Sequence, residues 1–141
     1  MSGRILHPDL SPAERRRLFH EGIALFNRSL FYDAHDSWEE IWRSTTPEPR
    51  DLFQGLVQVT AGMHHALDRR RPEPAARVLA KGRRRLEPLG PVCCGIDLAA
   101  LLESVRAWEA WLTGGREGEA PPVPRITESD TAAASPTTPC G

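Results

Sequence analysis

The sequence predicts an all-α protein, a compact bundle of about five helices with a C-terminal tail that does not pack. Three observations predict it. Apolar residues recur at three- and four-residue spacing in successive stretches of the 141-residue chain, and no stretch alternates as a strand would. Prolines, glycines and capping residues fall between those stretches. After Thr113 the chain turns to "TGGREGEAPPVPRITESDTAAASPTTPCG", with too few large apolar groups to offset the entropy of ordering it. The expected organisation is therefore a helical domain over 1–113 and a disordered tail over 114–141, in which Val123 to Ile126 could still lie against the body.

"SPAE", Ser11 to Glu14, reads as a capping box with Pro12 at the first helical position. Leu18, Phe19, Gly22, Leu25 and Phe26 then repeat at helical spacing, so the first helix should cover about 12–28. "NRS" interrupts it. The second helix carries Phe31, His35, Trp38, Glu39 and Trp42. "STTPEP" breaks the chain, and Thr46 is available to cap a third helix from about Arg50 to Arg69. Pro72 and Pro74 restart the chain into a fourth helix marked by Ala75, Val78, Leu79, Gly82 and Leu86. "PLGPVCCGI" is expected to be a loop. Asp97 caps a fifth helix with Leu98, Leu101, Leu102, Val105, Trp108 and Leu112 on its apolar stripe.

The third helix belongs at the centre of the bundle. From Leu52 to Leu67, "LFQGLVQVTAGMHHAL" has no charged residue apart from what its histidines can carry, whereas a surface helix needs a charged face. One side is large and apolar: Leu52, Leu56, Val59, Met63 and Leu67. The opposite side is small and polar, with Gln54, Gln58, Ala61, Gly62 and His65. Gly55 and Gly62 each cost about 1 kcal/mol relative to alanine in a helix interior. Close approach by another helix, or room for a ligand, would compensate.

Composition sets limits on function. With 18 Lys and Arg against 19 Asp and Glu the net charge is −1, so no global field draws the chain to nucleic acid or an anionic membrane. No stretch reaches the roughly 18 apolar residues of a membrane span. "MSGRILHP" lacks the apolar run of a signal peptide. Cys93, Cys94 and Cys140 make neither a CxxC pair nor an even framework, which favours reduced thiols and a cytoplasmic location.

The chemistry concentrates in "AHDSWEEIW", residues 34–42. His35 and Glu39 are one helical turn apart, and Gln58 and His65 share a face of the next helix two turns apart. If the two helices pack antiparallel across their short connection, these four residues converge inside a shell of Phe31, Trp38 and Trp42. Three readings stay open. The cluster could be a pocket in which imidazole and carboxylate exchange protons, with Glu39 as base in a hydrolytic variant. His35, Glu39 and His65 could hold Zn, Fe or Mn with a position open to water. Or the cluster could be a hydrogen-bonded packing module that only fixes helix register.

"HDSWEEIWR" followed by "LFQGLVQVTAGMHH" resembles the bacterial and archaeal family DUF309, with its His-x3-Glu-x2-Trp-Arg segment and Gly-Leu-Ile-Gln run ending in histidine. His35, Glu39, Trp42 and Arg43 fit the first part. Gly55, Leu56, Gln58, Ala61, Gly62 and His65 fit the second, with Val57, Val59 and Thr60 as mild departures. "LFNRSLFYDAH" is similar to the family's approach to the motif, and the resemblance spans about 14–112. It implies a compact helical domain and supports the same residue constellation, without supplying a reaction; the ligand pocket expected from the helix faces takes His35, Glu39, Trp42, Arg43, Gln58, Gly62 and His65.

Other features compete weakly. The triplets Arg15–Arg17, Arg69–Arg71 and Arg83–Arg85 could meet phosphates on a shared face, but no aromatic residues interleave with them. Solvated helix faces are the expectation. His64 points about 100° from His65 on an α-helix and, with His7 and His20, is expected to be incidental. Of Trp108 and Trp111, one should be core and the other could serve a homodimer contact.

Overall fold

A computed structural model describes residues 10–44 and 49–128. The described residues form an all-α bundle: α1 (Pro12–Asn27), α2 (Phe31–Trp42), α3 (Arg50–Met63), α4 (Pro72–Leu86) and α5 (Leu98–Thr113). The expected capping box opens α1. Glu14 N–H donates to Ser11 Oγ at 3.1 Å, and Ser11 N–H donates to Glu14 Oε1 at 2.9 Å. Asp97 caps α5 by accepting from Ala100 N–H at 3.0 Å. The helix-three cap proposed at Thr46 lies outside the described residues.

Successive helices pack antiparallel. Gly22 and Phe26 of α1 meet Trp38 and Phe31 of α2, pairing later positions with earlier ones. Trp38 is fully buried, its indole N–H donates to Phe19 O at 3.2 Å, and a Cβ at Gly22 would collide with its ring. The α2–α3 pair runs the same way: the Arg50 guanidinium lies 5.1 Å from the Trp42 ring centre, while His35 reaches the far end of α3 at Ala61.

The α3–α4 contact explains the glycines. A Cβ on Gly55 would sit 2.5 Å from Leu86 Cδ2, and one on Gly62 would sit 2.6 Å from Leu79 Cγ. Close helix approach, rather than ligand space, is what Gly55 and Gly62 provide. Between α4 and α5, Arg83 holds Glu109 in a two-pronged pair at 2.6 and 3.1 Å, and Glu87 receives Arg83 and Arg106. Trp108 is core and Trp111 half-buried, with their rings edge to face.

Three local features depart from the sequence reading. Helix three does not stay α-helical to Arg69: from His64 to Asp68 it widens into a π-helical turn, with Arg69 N–H bonded to His64 O five residues back at 3.0 Å. The "PVCCGI" loop contains a small hairpin, β1 (Val92–Cys93) paired with β2 (Ile96–Asp97), turning at Cys94 and Gly95 with φ of 51° and 80°. Cys94 is a buried thiol, whereas Cys93 is disulfide-bonded, so the expectation of reduced thiols fails at Cys93. Finally, the segment after Thr113 packs as far as Glu128. Asn27 receives Ile126 N–H at 2.7 Å and donates to Ile126 O at 2.9 Å, and Ile126 is buried. Its anchor falls within the Val123–Ile126 stretch expected to be able to touch the body.

Candidate functional site

The buried stripe of α2 is Phe31, Ala34, Trp38 and Ile41. His35, Glu39 and Trp42 each follow a stripe residue by one position, which turns them to the boundary between core and solvent. Their placement follows from helical phase: Trp38 takes the interior, and the polar residues border it. The cluster is therefore not sealed from water. The side chains of His35 and Glu39 are 25% and 29% exposed.

A cavity of about 140 Å³ lies between α2 and the end of α3. Phe31, Tyr32 and His35 form one wall; Thr60, Ala61, His64 and His65 form the other. The structure thus brings His35 and His65 to one cavity from two helices. Nδ1 of each ring is buried and has no hydrogen-bond partner among the described residues. Burial, followed by the nearby charges of His64, Arg69, Arg71 and Arg77, holds the His65 imidazole below its usual pKa.

Glu39 does not line the cavity; it lies 4.0 Å from His35 Nε2 and 3.6 Å from the Arg43 guanidinium. Those distances give charge proximity rather than hydrogen bonds. Gln58 is half-buried on α3, with its Oε1 buried and unpartnered, but it does not line the cavity. Trp42 lies under Arg50, and Gly62 faces α4 against Leu79, so neither lines it.

Asp36 enters the site as an addition. His35, Asp36 and Glu39 each offer one ligand atom, and these lie within 4.8 Å of one another. An imidazole with two carboxylates suits Zn, Fe or Mn. His65 is outside this group, in the π turn, and shares only the cavity with His35.

The π turn adds His64, which sequence reasoning set aside. With five-residue bonding, consecutive side chains are separated by less than the 100° of an α-helix, and His64 and His65 both reach the cavity, with ring centres 6.4 Å apart. Asp68 accepts from His64 Nδ1 at 2.7 Å. This bond fixes the ring and leaves Nε2 as the acceptor nitrogen of the neutral form. Tyr32, 61% exposed, lays its ring 5.8 Å from that of His64 at the cavity's rim. The His64-x3-Asp68 spacing was the available signal.

The arginine triplets serve separate tasks. Arg15 is buried, 5.9 Å from the Phe53 ring centre and 3.5 Å from Ser44 Oγ. Arg83 is committed to Glu109 and Glu87, and Arg85 pairs with Asp51. No described helix is long and apolar enough to cross a membrane.

No curated protein matches the chain significantly. Residues 19–78 match a family described as "Domain of unknown function (DUF309)", from Phe19 of α1 to Val78 of α4, and so include both walls of the cavity. The match supports the resemblance to DUF309 over these residues.

Proposed function

We propose that the α2–α3 cavity binds a small polar molecule through the imidazoles of His35 and His65, with Glu39 beside His35 and Arg43 beside Glu39 adding opposite charges to that neighbourhood. One observation carries this reading: two buried Nδ1 atoms with no hydrogen-bond partner among the described residues, on residues that border the same space. An unpaired buried polar atom costs about 1–3 kcal/mol, and a ligand that pairs with both recovers that cost. The neutral His65 ring offers one donor and one acceptor. Gln58, whose buried Oε1 also has no hydrogen-bond partner among the described residues, does not border the cavity and takes no part in this reading.

The His35–Asp36–Glu39 group favours a second reading, a divalent Zn, Fe or Mn ion, with His65 as the ligand contributed by the opposite helix. The third is a packing module that binds nothing. Protein made without an affinity tag would be analysed for metal, then titrated with Zn²⁺, Mn²⁺ and a library of small polar fragments while the backbone amides of His35, Ala61 and His65 are followed by NMR. Saturable shifts that His35→Ala and His65→Ala abolish support a pocket, and stoichiometric metal selects the second reading. If neither metal nor fragment shifts these amides, and His35→Leu only changes stability, the residues are a packing module.

A further inference from the structure

A second cavity, of about 270 Å³, lies on another face of the π turn. Leu67, Trp111 and Leu112 give it an apolar floor, and Arg70 and Arg116 line it from the ends of the π turn and of α5. It is larger than the ~150 Å³ cavity that accommodates benzene in a protein core. No carboxylate lines it. Among the described residues Arg70 and Arg116 have no acidic partner within 4.0 Å, a condition they share with several other surface arginines.

Both arginines also occupy left-handed backbone positions, with φ of 53° and 59°. Arg70 follows the end of the π turn, and Arg71 N–H bonds back across it to His65 O at 2.8 Å. Arg116 N–H closes the end of α5 on Trp111 O at 2.9 Å. Glycine is the ordinary residue at such helix exits, because any side chain there meets the backbone. Arginine at both exits sets two guanidiniums at the border of one apolar cleft.

We propose that this cleft is a separate binding site for a small organic carboxylate, its apolar body against Trp111 and Leu67 and its carboxylate at Arg70 and Arg116. The apolar floor selects against inorganic anions, and the two cations select against neutral molecules of the same shape. Guanidinium suits the acid because its planar fork matches a carboxylate's two oxygens.

The test follows the indole N–H signal of Trp111 by NMR in the full chain during titration with octanoate, octanol and inorganic phosphate. Octanoate should shift the signal saturably, and the other two should bind at least about tenfold more weakly. Arg70→Gly suits the left-handed position, so the variant should keep or raise its melting temperature while losing about tenfold in octanoate affinity. Arg116→Gly should do the same. Octanol binding as well as octanoate would leave only a greasy cleft, and phosphate binding as well would leave only surface charge; either result overturns the proposal. So does unchanged octanoate affinity in the folded Arg70→Gly protein, or no saturable response to octanoate.

Discussion

Replacing Gly82 by alanine tests the packing that holds α3 in place. A Cβ there would lie 2.9 Å from Val59 Cγ2, 3.0 Å from Gly55 O and 3.0 Å from Val59 N. Two of those three atoms are main chain of α3, so no rotamer change clears the contact and the helices must separate. Overpacking of this kind costs about 1–3 kcal/mol. Alanine recovers about 1 kcal/mol of helix propensity over glycine. The expected net is a loss of about 0–2 kcal/mol, a fall in Tm of up to roughly 6 °C for a domain of this size. Urea denaturation followed by circular dichroism measures it, with an unchanged m value showing that the unfolded state is unaltered. Ala80→Gly in the same helix calibrates propensity, with an expected loss of about 1 kcal/mol. Should Gly82→Ala instead gain about 1 kcal/mol, propensity alone would account for it, and the close α3–α4 approach would be refuted.

Other outcomes follow from single groups. Burial and nearby cations lower the His65 pKa below 6.5, so the unfolded chain binds that proton more readily; stability from His65 should be fully present above pH 6.5 and fall as pH drops through its folded value, a slope that His65→Gln should remove from pH-dependent melting curves. Burial pushes the Cys94 thiol up to about 11 from its ordinary 9.0, partly offset by Arg15, so its contribution should be present below pH 9.0 and decline as pH rises toward about 11. Accordingly, iodoacetamide should modify Cys94 far more slowly in the folded protein at pH 8 than in urea, as read by mass spectrometry; equal rates would contradict its burial. Asn27→Ala removes both hydrogen bonds to Ile126 and should cost about 1–2 kcal/mol, with faster hydrogen exchange at the Ile126 amide as the local readout.

The helical stripes were legible because each rests on many residues repeating one period. The apolar positions of α5 are all buried as the spacing requires, and the charge-free run of α3 does pack between α2 and α4. The site was legible in part. His35 and Glu39 could be paired from i,i+4 spacing, and His65 could be placed opposite through antiparallel packing. Their exposure could not, because one position of helical phase separates the Trp38 interior from the His35 edge. The π turn was illegible for a related reason: a change of period within five residues leaves no repeat to detect. Reading His64 at 100° per residue therefore turned it away from His65. The hairpin at Val92–Asp97 is too short to show alternation, and the packing of residues 114–128 depends on single anchors such as Asn27 rather than on composition.

The five residues from His64 to Asp68 border two hollows at once: two histidines face one, and Ala66 and Leu67 face the other. A shared partition of this kind cannot be tightened on one side and left unconstrained on the other. If both hollows bind ligands, and each ligand favours a different arrangement of this partition, the two are coupled, equally in both directions.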